Sequence, residues 1–515
     1  MTSKEKTVRY RATQLVAHII NSVDTIDDEY YQLLKTTLLR RIRDREPIIR
    51  VQAVIGLGRL AGNEDDNEED ADSDEDIENG LVGRLVHSLQ NDPSADVRRA
   101  LLLNLPLTPN TLPYLLERAR DLDSGTRRAL YSRLLPALGD FRHLSLSMRE
   151  KLLRWGLRDR DENVRKATIK LFRERWIEDC ARSKDHPESD KQGEVEAPSL
   201  DALLELLERI DIVNSGNEHG IGGEAMRGFW EGRPDYQSGL AFEEPFWDNL
   251  TPESVFTVRT WNDFYHSKLN NEQDVRIEGK LPEVTRMAFC LEHYIHKTIQ
   301  SLRKNALIAE DAEVEESVEQ EFVVEQLLYV AKTMDYTDEV GRRKMFALLR
   351  ETLAIAELPD EITQLVIDVL REICGSGTAG ERDFCGIVLE AIAEVHDNII
   401  AEDPRHDNGD ESFHSARSEI SNQTPTKALS LQLEKKDQND DEEERKAIQE
   451  IMINMKCLHI AQCMLQNVEG ALQANMHLVT MLNNLVIPAV RSQEAPVRER
   501  GLLCLGLCCL LDKVC

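Results

Sequence analysis

The chain is poor in aromatic residues, 5% against 30% charged, a balance that suits an all-helical protein with a core of Leu, Ala and Ile. It also lacks the usual marks of an enzyme. No Walker-type Gly-Lys-Ser loop, no Gly-rich dinucleotide turn and no Ser-His-Asp set with recognisable spacing occurs, so nucleotide hydrolysis, hydride transfer and acyl transfer have no sequence support. Ten cysteines are scattered without a framework, which favours a reducing nuclear or cytosolic compartment. Cys457, His459 and Cys463 are close in sequence, but only the last two share a helix face, and two ligands do not make a structural zinc site. Cys504, Cys508 and Cys509 sit in an apolar helix as small hydrophobic residues. Met1-Thr2-Ser3-Lys4-Glu5 does not read as a signal peptide. The uncharged stretch Ala471 to Val490 is long enough to cross a bilayer, yet Gln473, Asn475, His477, Asn483, Asn484 and Pro488 would be costly there; it reads as a buried helix and its turn. The expectation is a protein with no catalytic residues, cofactor, metal, small-molecule substrate or membrane span.

What is present is a repeat. Pro47-Ile48-Ile49-Arg50-Val51-Gln52-Ala53, Asp96-Val97-Arg98-Arg99-Ala100, Gly125-Thr126-Arg127-Arg128-Ala129 and Asn163-Val164-Arg165-Lys166-Ala167 share one pattern: a polar turn, a small apolar step, an Arg, then a helix with an early Ala. A fifth copy is Pro496-Val497-Arg498-Glu499-Arg500. The first four signature arginines lie 48, 29 and 38 residues apart, the period of paired antiparallel helices of the HEAT type. Val97, Leu101 and Leu105 form an apolar stripe that a lone helix pair cannot cover, so the pairs must stack. The predicted fold is an all-α HEAT-repeat α-solenoid, an architecture that offers extended surfaces to partners and no closed pocket for chemistry.

The net charge of −31 is unevenly spread. Residues 1–62 and 81–175 together hold 30 Lys and Arg against 18 Asp and Glu, whereas 63–80 carries eleven acids and no base. The repeat block is therefore basic inside an acidic chain. The acidic run beside it is either a solvated insertion or a polyanion able to compete with another polyanion for the basic surface.

Along the chain, the expected organisation is HEAT repeats over 1–62, an acidic disordered loop over 63–80, basic HEAT repeats over 81–177 and a polar linker over 178–200. Divergent HEAT-like helices follow over 201–400, interrupted by an acidic run near Glu310 to Glu321 and by an irregular Gly-rich stretch from Gly216 to Gly239. Residues 401–445 have the composition of a disordered loop, and 446–515 resume helical repeats. Thr251 is placed to cap a helix whose first position is Pro252. Both ends read as cut through a repeat array.

The wording of the repeats is itself informative. Val97-Arg98-Arg99-Ala100 with Leu102-Leu103-Asn104-Leu105-Pro106, the run Thr111-Leu112-Pro113-Tyr114-Leu115-Leu116-Glu117-Arg118-Ala119-Arg120-Asp121, and Arg127-Arg128-Ala129-Leu130-Tyr131 closely resemble the G-type HEAT subunits of condensin, the subunit 3 family, in a fungal-like form. Phe246 to Glu253 and Gly501 to Asp512 look like two further landmarks, the second within the start of the family's C-terminal region. The resemblance implies a non-catalytic subunit that binds the kleisin subunit, meets the SMC ATPase subunits indirectly through it, and holds double-stranded DNA in mitotic chromosome condensation, in the nucleus on chromosomes. A karyopherin-type nuclear transport receptor or another HEAT assembly scaffold is the alternative.

A phosphate backbone is gripped by several cationic side chains on one face, without base reading. Arg41, Arg43, Arg99, Arg128, Arg133, Arg142, Arg154, Lys166, Lys170 and Arg173 are the candidates. The signature residues Arg50, Arg98, Arg127 and Arg165 are expected instead to bond turn carboxylates, with Asp92, Asp121 and Asp159 as partners. Thr424, in Thr424-Pro425-Thr426-Lys427, fits a proline-directed kinase site, where phosphate would add nearly two negative charges. Trp230, Phe242, Phe246, Trp247, Phe256 and Trp261 cluster where the repeat is weakest, as core beneath a loop or as a pocket for a peptide.

Overall fold

The computed structural model describes residues 3–62, 80–182, 198–217, 220–269, 280–305, 311–355, 357–375, 377–401 and 433–511. Among these residues all regular structure is helical, as the repeat predicts. The chain divides into two units, Met1–Ala241 and Phe242–Cys515.

In the first unit the signature helices, each opening with the apolar step and Arg, form one layer. Lys6–Ser22 packs on Pro47–Ala61, which packs on Ala95–Asn104, then on Ser124–Ala129 and on Glu162–Lys170. Their partner helices, Asp28–Arg41, Leu81–Asn91, Leu112–Leu116 and Leu146–Leu157, form the second layer. Ile49, Val97, Thr126 and Val164, the residues just before each signature Arg, are completely buried. Each apolar side chain so covered contributes about 1.5 to 3 kcal/mol. Gly58 sets the closeness of two rungs: a Cβ there would land on the carbonyl oxygen of Asn104, so only Gly allows Pro47–Ala61 to meet Ala95–Asn104 at this distance. Ser124–Ala129 and Glu162–Lys170 run on through π segments, Leu130–Leu134 and Leu171–Trp176, which no hydrophobic period announces.

The second unit repeats the plan with less regular wording. Pro252–Leu269, Asp311–Ala331, Asp360–Cys374, Leu433–Gln466 and Ala495–Leu511 pack in that order, against a layer of Val284–Asn305, Glu339–Leu353, Thr378–Ala401 and Met476–Met481. The expected cap is present, with the Ser254 amide donating to Thr251 Oγ1 at 3.3 Å.

Three stretches differ from expectation. The Gly-rich segment forms the helices Gly222–Gly232 and Pro234–Gly239; its glycines mark close packing, for a Cβ on Gly228 would lie 2.8 Å from Ile169. From Asp311 on, the acidic run belongs to the helix Asp311–Ala331, which Phe322, Val323 and Leu327 anchor in the core. The helix Leu433–Gln466 begins inside the segment expected to be disordered, since Glu, Lys and Arg are good helix formers and extend a helix already fixed by packing. Residues 63–79, 183–197 and 402–432, the last with Thr424, lie outside the described residues.

The aromatic cluster separates. Trp230 lies against Phe229 in the first unit, with ring centroids 5.3 Å apart. In the second, Phe242 meets Trp247 and Trp261 at 6.5 and 5.8 Å. Trp230, Phe256 and Trp261 are fully buried, which makes them core.

Candidate nucleic-acid and partner interface

The signature arginines build a ladder. Arg50 Nε and Nη2 donate to the two Asp92 oxygens, both at 2.8 Å. Arg98 grips Asp121 at 2.8 and 2.7 Å, and Arg127 grips Asp159 at 2.6 and 2.9 Å. Each Asp belongs to the next repeat, so a forked charge-assisted pair joins neighbouring rungs. The same arginine donates through Nη1 to the carbonyl six residues upstream: Arg50 to Asp44, Arg98 to Asp92 and Arg127 to Asp121. Each Asp also accepts the amide two residues on, as Asp121 does from Asp123 at 2.9 Å. One turn is therefore tied to both its neighbours.

Arg9 with Asp44, at 2.9 and 3.2 Å, is a rung absent from the expected set. Its signal was legible, because Val8-Arg9-Tyr10-Arg11-Ala12 is another copy of the signature. Arg165 donates to the Asp159 carbonyl at 2.7 Å, and no carboxylate among the described residues closes its rung. Arg498 keeps the carbonyl bond, to Ser492 at 3.1 Å, but the turn position that holds Asp elsewhere is Ser492.

Burial by itself would raise the Asp121 carboxyl, yet the Arg98 bonds and the Asp123 amide outweigh it and hold that carboxyl below the usual range. Asp44 and Asp159 are depressed for the same reason, with Arg9 and Arg127 as partners. A depressed carboxylate contributes stability that is complete above the unfolded pKa of about 4 and disappears as pH falls through the folded value. The first unit is therefore expected to lose stability steeply below about pH 4. Circular dichroism melts across pH 2 to 6 should show that slope flattened in Arg98→Ala; an equal slope in the two proteins would remove the ladder as its cause.

The ten basic candidates fall on different surfaces. Arg99, Arg128 and Lys166 occupy the position right after the signature Arg in three consecutive helices. That is two residues past the buried step and about 200° round the helix, so they form one row on the outward side of the signature layer. Arg128 is exposed, and Lys166 has only an exposed i,i+4 contact with Glu162, which holds it weakly. Arg99 is shared with Asp123 at 2.7 Å. Arg133, Lys170 and Arg173 lie further along these helices, the last two beside Glu174 at 3.5 and 3.6 Å. Arg154 is on a partner helix next to Glu150. Arg41 is committed to Asp44 at 2.8 Å, and Arg142 to Asp140 and Glu205 at 2.6 and 2.8 Å, so neither is free for a ligand. Arg43 is exposed in a turn.

Elsewhere the chemistry is structural. His459 Nε2 lies 3.0 Å from the Asp360 carbonyl and 3.5 Å from Cys463 Sγ. Among the described residues no group of three or more His, Cys, Asp or Glu is arranged to hold a metal, and no helix is long and apolar enough to cross a membrane.

Comparison with known proteins fits this architecture. Residues 456–515 match the family model for the C-terminal domain of nuclear condensing complex subunits. Condensin complex subunit 3 of Schizosaccharomyces pombe is 37% identical over 99% of this chain and 53% of its own length. The Saccharomyces cerevisiae protein is 31% identical over 99% of this chain and 49% of its own, and the human one 24% over 98% and 50%. A crystal structure of the S. pombe condensin Cnd3-Cnd2 subcomplex aligns with 99% of this chain and 56% of that one, at a TM-score of 0.73 and 35% identity. The chain spans about half the length of the curated relatives it matches. From its first helix pairs to its last, this chain is a HEAT-repeat homologue of condensin complex subunit 3.

Proposed function

We propose that this chain serves as a non-catalytic HEAT subunit of condensin that clasps the kleisin subunit and holds double-stranded DNA during mitotic chromosome condensation. The observation that carries the reading is the likeness, along nearly the whole chain, to the Cnd3 half of a condensin Cnd3-Cnd2 subcomplex. The kleisin partner is Cnd2-like in this reading, the SMC ATPases are reached through it, and ATP hydrolysis belongs to them. The DNA-holding part is the basic array of 1–62 and 81–177, and the row Arg99, Arg128 and Lys166 is its centre. Its support is repeat register: one cationic position recurs on three stacked helices, which suits a phosphate backbone and carries no base code.

The direct test is co-purification of the chain with a fragment of the kleisin linker. A stoichiometric complex that survives gel filtration is the expected result. No association, or capture of a small GTPase in its place, would replace the condensin reading with the transport-receptor one.

A further inference from the structure

In the second unit the short helix Glu244–Asp248 lies against the first turns of Val284–Asn305, and a cavity of about 450 Å³ opens between them. One stripe of the long helix, at i, i+3, i+4 and i+7 from Arg286, forms its wall. Most polar groups of that wall are spent within the fold. Trp247 donates its ring N–H to the Phe242 carbonyl at 3.3 Å, and its own carbonyl accepts the Cys290 thiol at 3.8 Å. The Leu250 amide donates to Tyr294 Oη at 2.7 Å, and Arg286 is paired with Glu244. Asp248 is the charged exception. It is exposed, lines the cavity, and makes no ion pair or side-chain hydrogen bond among the described residues.

The wall is aromatic as well as acidic. Phe289 is 56% exposed, His293 is exposed beside Tyr294 with ring centroids 5.1 Å apart, and Trp247 adds its indole from the short helix. Phe289 already takes one ammonium group, that of Lys344, 4.7 Å from its centroid. Lys344 is bound to Glu292 at 2.9 Å and is not among the lining residues. Over residues 243–248 and 283–297, the two segments that form the cavity, the sequence holds five acids against two bases, Arg286 and Lys297. Burial pushes the Cys290 thiol up to about 11, with Asp248 adding to the rise and Arg286 opposing it. The thiol is therefore neutral and, with Arg286 paired, Asp248 is the unbalanced charge of the lining.

We propose that this cavity seats an arginine side chain of a basic protein segment. A guanidinium plane stacks on aromatic faces, and its fork meets a carboxylate with two donors. A ring-lined pocket without charge would accept an apolar anchor equally well; the unpaired Asp248 and the acid excess of its two segments select a cation. The volume falls in the range of ligand pockets, and one side chain enclosed by rings is the kind of anchor on which interface energy concentrates. The inference goes beyond the proposed function and does not depend on it.

The test follows, by fluorescence anisotropy, a fluorescein-labelled peptide of four Arg-Gly repeats binding the full 515-residue chain at about 150 mM salt, where loose attraction between exposed charges is screened. Asp248→Asn and Phe289→Ala are each expected to weaken binding about tenfold or more, the scale of a cation–ring or charge-assisted contact shielded from water. Their melting curves should match the parent's, because both side chains are exposed. Glu499→Gln, which removes the same charge from an exposed side chain of Ala495–Leu511, should leave affinity unchanged. Equal losses from Glu499→Gln and Asp248→Asn would reduce the effect to net charge and overturn the proposal, as would full binding by Phe289→Ala. With a kleisin linker fragment bound, the same affinity is expected; displacement of the peptide by that fragment would overturn the proposal and make the cavity part of the kleisin seat. Displacement by spermine at a matched concentration of positive charge would overturn it in favour of a small polyamine. A kleisin fragment that fails to bind would sink the proposed function and leave the peptide titration readable.

Discussion

Arg98→Ala is expected to destabilise the first unit by about 3 to 5 kcal/mol, the usual loss when one member of a buried ion pair is removed. Asp121 is almost fully enclosed. Without Arg98 it keeps the Asp123 amide at 2.9 Å and Arg118 at 3.4 Å, neither of which replaces a two-pronged guanidinium. The Asp92 carbonyl loses its donor as well. Arg98→Lys should recover little, because a single ammonium cannot reach both carboxylate oxygens and a backbone carbonyl at once. Removing both partners, as Arg98→Ala/Asp121→Ala, should cost less than the sum of the single changes, since no charge is then stranded. Arg498→Ala is the contrast: with Ser492 in the turn it loses only carbonyl bonds, worth about 1 kcal/mol. Urea unfolding, followed in the first unit for the Arg98 variants and in the second for Arg498→Ala, would check the order. A loss below about 1 kcal/mol for Arg98→Ala would show that packing alone holds the rungs.

The second large effect concerns binding. Arg99→Gln/Arg128→Gln/Lys166→Gln is expected to weaken duplex DNA binding by about 10- to 100-fold at low salt and to make the salt slope shallower by about 2 to 3, one unit for each phosphate that is no longer neutralised. The loss should be the same for every duplex sequence, because interactions with the backbone carry no base information. Arg99 is predicted to contribute least, as Asp123 already occupies one of its nitrogens. Arg142→Gln should leave DNA binding unchanged, because its side chain is spent on Asp140 and Glu205. Fluorescence anisotropy with labelled duplexes reads both values. Equal loss from Arg142→Gln would mean that net charge, not the row, sets affinity.

Most of the fold could be read from the sequence because the repeat is literal. Arg50, Arg98 and Arg127 stand at one point of one motif, and a turn Asp answers each of them. The second unit was harder: only Arg498 keeps the motif there, so Asp311–Ala331 was obscured by its acids, as Gly222–Gly232 in the first unit was by its glycines, and the burial of both depends on neighbours far along the chain. The binding surface was legible in composition but not in placement. Arg41, Arg99 and Arg142 look as free in sequence as Arg128, and the carboxylates that engage them are Asp44, Asp123, Asp140 and Glu205, the last more than sixty residues from Arg142. The Arg9 rung was missed although its motif was plain, because its partner Asp44 lies in a turn of irregular wording.

The most direct test of the account is the affinity of the parent chain, bound to a kleisin linker fragment, for unrelated duplexes between 50 and 200 mM salt. Affinity is expected to fall linearly on log–log axes, with a slope of about −3 or steeper, alike for every sequence. A flat line, or no binding at the lowest salt, would contradict a role in holding DNA while leaving the HEAT architecture untouched.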